Sequence, residues 1–179
     1  WGSTKRRYQP LLDRVTDRFE LDDLLAQVMA ARTHGTPVFL KVAPDLQPAD
    51  IDDIVTVAMS RGIAALIISN TTIARPALAS CYAGEAGGLS GAPLRDMAQQ
   101  RLVDFRKASG GQIGLIGVGG IASAQDAYAR IRAGANLVQI YSALVYQGPG
   151  LARRINKQLQ QLLQADGFVN ISDAVGVDG

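Results

Sequence analysis

Four times between Pro37 and Ala165 the chain passes from a short apolar run into a stripe of helical period. That alternation constrains the fold more than any single residue does. The runs are residues 38–42, 63–68, 113–118 and 137–140. The second, Ile63-Ala64-Ala65-Leu66-Ile67-Ile68, does not alternate with polar residues, as expected of a strand in a parallel sheet buried on both faces. Between the runs, apolar residues recur at i, i+3, i+4 and i+7. They do so at Ile51, Ile54, Val55, Ala58 and Met59, and again in the segments 94–107 and 123–132. A stripe at Leu21, Leu24, Leu25, Val28 and Met29 precedes the first run, and one at Leu151, Ile155, Leu159, Leu162 and Leu163 follows the last. Glycines close the helices at Gly35, Gly62 and Gly134, and Ser123 with Asp126 resembles a capping box.

Strand and helix in strict alternation predict a parallel α/β array with right-handed crossovers. A faint repeat supports it: residues 61–69 echo residues 133–142, each reading helix end, Gly, buried strand, then a hydroxyl at the strand's exit. Four units in about 130 residues is roughly 32 per unit, so the eight of a closed (β/α)₈ barrel would need about 250. The 179 residues here hold about half of that. Such a half cannot close a barrel without a partner or a second copy. Residues 1–19 lack a clear period and predict an irregular lead-in or short helix, and the tail from Asp166 predicts loose packing.

Composition excludes several classes. One Cys rules out a disulfide scaffold or a Cys metal cage, and one His rules out a poly-His site. A net charge of +2, with dispersed basic residues, gives no argument for nucleic acid. The longest uninterrupted apolar run is far short of the roughly 20 residues a membrane span needs. No signal peptide is visible, and a soluble, reduced, cytoplasmic chain is the expectation.

Sites of α/β enzymes lie at the C-terminal ends of the strands. The first exit offers Lys41, a cation in an apolar strand that is expensive to bury unless an anion meets it. The second offers Ser69-Asn70-Thr71-Thr72, either a ligand-binding run of donors and acceptors or a turn with a cap. Gly87-Gly88-Leu89-Ser90-Gly91 follows in the long loop, the third strand runs into Gly117-Val118-Gly119-Gly120, and the fourth ends at Tyr141-Ser142. Glycine-rich exits let backbone N–H groups approach a phosphate, and the order matches a barrel's phosphate site. A G-x-G-x-x-G fingerprint and a P-loop are both missing, against a Rossmann site or a nucleoside triphosphatase. His34 and Cys81 read as a helix-end cap and a spare thiol, and Asp50, Asp52 and Asp53 as a helix start rather than an acid/base pair.

Taken together, Lys41-Val42-Ala43-Pro44-Asp45-Leu46, Ser69-Asn70-Thr71-Thr72, residues 87–94, Ile116-Gly117-Val118-Gly119-Gly120-Ile121, Gln139-Ile140-Tyr141-Ser142 and Gly148-Pro149 resemble the C-terminal half of the dihydroorotate dehydrogenase family, in its class 2, quinone-linked form. The resemblance runs from about Leu21 to the end, so residues 1–20 are expected to be a non-matching lead-in and residues 21–179 half of an FMN-binding barrel domain. It implies oxidation of dihydroorotate to orotate in pyrimidine synthesis, with electrons passing through FMN to quinone. It also implies that Lys41, Ser69, Gly91, Gly120, Tyr141 and Ser142 bind FMN. Lys41 would then lie beside the flavin ring, and Gly119-Gly120 with Tyr141-Ser142 would cradle its phosphate. Asn70 and Thr71 would bind the pyrimidine. The family's catalytic serine has no counterpart here, so no catalytic residue is assigned. Intact members are peripheral to the membrane. The alternative is an inert half-barrel that at most binds flavin or phosphate, or self-associates through its open strand edges.

Overall fold

The computed structural model describes residues 18–179. Helix α1 (Arg18–Ala31) leads into β1 (Phe39–Val42), α2 (Pro48–Ser60), β2 (Ala65–Ile68) and, after a long loop, a 3₁₀ turn (Ala92–Leu94) continuous with α3 (Arg95–Ser109). Then come β3 (Gly114–Val118), α4 (Ala124–Arg132), β4 (Leu137–Gln139), α5 (Ser142–Gln147), α6 (Leu151–Ala165) and a 3₁₀ turn (Ile171–Ala174). The expected lead-in lies outside the described residues, apart from the three that open α1. Among the described residues no helix is long and apolar enough to cross a membrane.

The four strands are parallel and ordered β1-β2-β3-β4, with Lys41 opposite Ile67 and Gly117 opposite Val138. Sequential order distinguishes this sheet from a doubly wound one. When every right-handed crossover steps the same way, all helices land on one face. The packing follows. Val42, Leu66, Ile68 and Leu115 point toward the helices and join Ile54, Ala58, Leu102 and Phe105 in the main core. Phe39, Lys41, Leu137 and Gln139 point the other way and are exposed. Four such βα units are half of a (β/α)₈ barrel, and the bare face is the side that would line its interior.

The local signals explain the elements. Pro48 stands in the first turn of α2, where its missing N–H is no loss, and Asp50 accepts from the Gln47 N–H at 2.8 Å. Ser123 caps α4, its Oγ accepting from the Asp126 N–H at 3.1 Å; such a cap is worth about 1 kcal/mol. The Asp126 carboxylate does not return to Ser123, as a capping box requires, but accepts from the Ala122 N–H and faces Arg95. The tail also departs from expectation, because it is packed. Ala174 is buried in a second core with Tyr128, Ile131 and Ile155. Arg132 then holds Asp178 through two hydrogen bonds of 2.7 Å.

Candidate active site

The four strand exits open on one pocket. Its lining includes all eight residues singled out from the sequence: Lys41, Ser69, Asn70, Thr71, Gly91, Gly120, Tyr141 and Ser142. They come from the exits of all four strands and from the loop after β2, so only the folded array assembles them.

At the first exit Lys41 lies on the bare face of β1 and is exposed. The expectation that its burial would demand a counter-ion does not hold in the described chain. Its position, rather than its desolvation, directs it to the pocket. Among the described residues that line the pocket, Lys41 alone carries a charge.

The second exit separates a run that looked uniform in sequence. The Ser69 N–H donates to Val118 O at 3.0 Å and the Asn70 N–H to Val42 O at 2.8 Å, tying the end of β2 to both neighbours. The Ile68–Ser69 peptide is cis. Ser69 is buried and its hydroxyl donates to Asn70 O at 3.1 Å. Thr72 is buried too, with its hydroxyl committed to Asp45 and its backbone bridged to Leu89. Asn70 and Thr71 remain exposed, the amide Oδ1 of Asn70 accepting from the Thr71 N–H at 2.9 Å.

The loop that follows doubles back to bring Gly88 against Thr71. A Cβ built on Gly88 would lie 1.9 Å from Thr71 Oγ1, so glycine at 88 is what lets Thr71 occupy this place. Arg75 holds the two arms together, its Nη1 donating to Ile73 O and Ala74 O at 3.1 Å and its Nη2 to Glu85 O at 3.1 Å and to Gly87 O. The returning arm sets Ser90 beside α5, with Ser90 Oγ 3.1 Å from Ser142 Oγ.

At the third exit Gly119 and Gly120 have φ of 115° and 72°, in the region that favours glycine. Their carbonyls accept from Arg130 Nη2 at 2.8 Å and from Arg95 Nε at 3.1 Å. Arg130 is almost wholly buried, and burial pushes its pKa down to about 10 against the opposing pull of Asp126. The N–H groups of Gly120 and Ile121 donate to no group of the described chain. The fourth exit turns at Tyr141 directly into α5, a short helix that sequence reading did not expect.

Several contributors were missed from sequence. Arg75 and Arg130 carry no local motif. Ser90 lies inside a glycine-rich string with no signal of its own, and its approach to Ser142 spans 52 positions. The residues set aside keep their quiet roles: Asp50 belongs to the α2 cap, Asp53 meets Arg18, and Cys81 is an exposed free thiol. Among the described residues no group of His, Cys, Asp and Glu is placed to hold a metal.

A family model for dihydroorotate dehydrogenase matches residues 9–163. The chain belongs to the dihydroorotate dehydrogenase family. Curated relatives named dihydroorotate dehydrogenase (quinone) include that of Sphingopyxis alaskensis, 62% identical over 169 residues, and that of Novosphingobium aromaticivorans, 61% identical over 168. Each alignment takes in 93% of this chain and 48% of the relative. The chain therefore spans about half the length of the curated dihydroorotate dehydrogenases it matches. Among solved structures, the Eimeria tenella enzyme in complex with ferulenol superposes with a TM-score of 0.84 at 36% identity, over 92% of this chain and 49% of that one. This agrees with the half-barrel described above.

Proposed function

We propose that residues 21–179 form the C-terminal half of an FMN-binding barrel domain, and that the site serves the oxidation of dihydroorotate to orotate with quinone as final electron acceptor. The observation that carries this reading is the convergence of eight residues from four strand exits on one pocket. The donor set suits the cofactor. Lys41 stands on β1, whereas the open amides of Gly120 and Ile121 and the Ser90–Ser142 hydroxyl pair stand beside β3 and β4. The first and fourth strands are three spacings apart, roughly 14 Å at about 4.8 Å per strand. That span fits an elongated ligand with an anionic group at the β3–β4 end.

In this reading Gly91, Gly120, Tyr141 and Ser142 hold the phosphate arm, Ser69 shapes the middle of the pocket, and Lys41 sets a positive charge at the ring. Asn70 and Thr71 offer donors and acceptors to the pyrimidine. Bound FMN supplies the hydride acceptor. No His, Asp or Glu lines the pocket among the described residues, so this half orients and binds, and the proton-abstracting group is assigned to no residue here. The intact enzyme is placed at the membrane surface on the same family reading.

The test is the flavin absorbance of the purified chain supplied with FMN, before and after anaerobic dihydroorotate. Binding is expected to red-shift and sharpen the flavin bands. Bleaching on dihydroorotate would show that the chain carries a complete site. Binding without bleaching would leave the half-barrel as a cofactor cradle, and absence of binding would refute the assignment of these residues to FMN.

A further inference from the structure

The Gly119–Gly120 turn is gripped from behind by two arginines that cross. Arg130, on α4, sends Nη2 to Gly119 O at 2.8 Å and to Arg95 O, on α3, at 3.1 Å. Arg95 sends Nε to Gly120 O at 3.1 Å and lies equally close to Asp126 Oδ1, back on α4. Each helix thus donates a guanidinium to one carbonyl of the turn, and each arginine is steadied by the other's helix.

The peptide bonds of the turn are trans, and in a trans peptide the C=O and the following N–H point in opposite directions. Carbonyls drawn toward α3 and α4 therefore turn the N–H groups of Gly120 and Ile121 away from those helices. That is the pocket side, where both residues contribute to the lining. Neither N–H has another partner in the described chain.

Arg130 is an unusual means of holding a turn. It is 1% exposed, and its Nε and Nη1 have no partner among the described residues. Its hydrogen bonds go to two carbonyls, one of them that of Gly119. Space for the stem exists because residue 117 lacks a side chain, since a Cβ there would lie 2.3 Å from Arg130 Cγ. A buried cation behind the turn also adds a field that favours an anion in front of it.

We propose that Arg130 and Arg95 are positioning residues that preset the N–H groups of Gly120 and Ile121 as donors to a phosphate monoester in the pocket. The proposal rests on the FMN reading above and deepens it.

The experiment compares the full chain with Arg130→Met, Arg130→Lys and Arg95→Met. The 15N order parameters of the Gly120 and Ile121 amides read the rigidity of the turn itself. Titrations with FMN and with riboflavin, which lacks the phosphate, read the consequence. Arg130→Met is expected to lower the order parameters of those two amides and to weaken FMN about tenfold, the effect of one lost hydrogen bond to a charged group, while leaving riboflavin unchanged. Arg130→Lys should recover most of the loss, and Arg95→Met, at a half-exposed position, should show the same pattern more weakly. Equal losses for both flavins, or unchanged order parameters at Gly120 and Ile121, would overturn the proposal. If the parent chain binds neither flavin, the FMN reading fails. Shifts of the two amide resonances with inorganic phosphate, present in the parent and lost in Arg130→Met, then decide the clamp. If Arg130→Met does not fold, Arg130→Lys and Arg95→Met carry the same comparison.

Discussion

The inner and outer strands of the sheet begin from similar sequence and end in different surroundings. Leu66 and Leu115, on β2 and β3, are wholly buried, whereas Leu137 on β4 is 62% exposed and Phe39 on β1 is 49% exposed. All four are large apolar residues in short apolar runs. The inner strands have a hydrogen-bonded neighbour on each side, and their helix-facing residues lie under α2 and α3. The outer strands each have one unpaired edge, and the two exposed residues sit on the face that no helix covers. Val145 and Tyr146 on α5 extend the exposed apolar surface beside β4. Val42 on β1, which faces the helices, is buried as well, so the contrast belongs to the other face: there Ile116, flanked by strands on both sides, is 6% exposed, whereas Phe39 and Leu137 on the outer strands are bare. Phe39 on β1 and Leu137, Val145 and Tyr146 at β4 thus put exposed apolar surface at both ends of the sheet, where a barrel would close.

The sharpest way to break that comparison is to truncate both kinds of leucine. Leu66→Ala and Leu115→Ala should each destabilise the chain by about 2–5 kcal/mol, the range for emptying a well-packed core site. Leu137→Ala should stay within about 0.5 kcal/mol, as a surface change does. Urea unfolding followed by circular dichroism measures all three. A Leu137 penalty as large as that of Leu66 would mean that something covers β4 in solution. That bears on a second prediction, because open parallel edges are templates for pairing. The chain should self-associate, and the pair Phe39→Lys with Leu137→Lys should shift it toward monomer without lowering its stability. Sedimentation velocity across a concentration series checks this, and a monomer at all concentrations for the parent chain would sink it.

The same contrast explains what was readable in advance. Periodicity marked β1–β4 and α1–α4 because each has its own repeat of apolar residues. It could not show that Leu137 would be bare, since exposure depends on a neighbour that is not local. Strand exits pointed to the pocket because parallel α/β chemistry concentrates there. The division of labour inside Ser69-Asn70-Thr71-Thr72 was not legible, because Thr72 is claimed by Asp45 from 27 positions away. Arg130 was invisible for a related reason. A charged residue within a helix reads as surface, and only the missing side chain at Gly117 on another element makes the buried place for it. Helix α5 escaped because six residues are too few to show a period. The packed tail escaped because its anchors are distant in sequence, Arg132 lying 34 positions before Asp166 and 46 before Asp178.

A smaller test lies at the pocket. Gly88→Ala would drive its new methyl into Thr71, which must then leave its place. The expected result is loss of pyrimidine binding to the FMN-loaded chain with little change in unfolding midpoint, because both residues are exposed. Isothermal titration with orotate measures it, and unchanged orotate affinity would remove Thr71 from the proposed substrate contacts.

The smallest effect is expected at the tail, which unlike β4 does have its cover. Hydrogen bonds from Arg132 hold the Asp178 carboxyl below its ordinary value of 3.8. A carboxylate whose folded pKa is depressed stabilises the fold above its unfolded pKa, and that contribution fades as pH falls through the folded value. The Asp178–Arg132 contact should therefore be intact at pH 5 and weaken only as pH falls through the depressed folded pKa, under 3.8, where protonation removes the charge that Arg132 binds. Amide exchange at Gly176 and Asp178, which donate to Ile131 O and Arg132 O, reads the contact directly. Exchange corrected for its intrinsic pH dependence should quicken across that window in the parent chain. In Asp178→Asn it should be quick throughout, with no step. A step that survives in Asp178→Asn would place the titrating group elsewhere, and Asp166, which also accepts from Arg132 at 2.7 Å, would be the next carboxylate to replace.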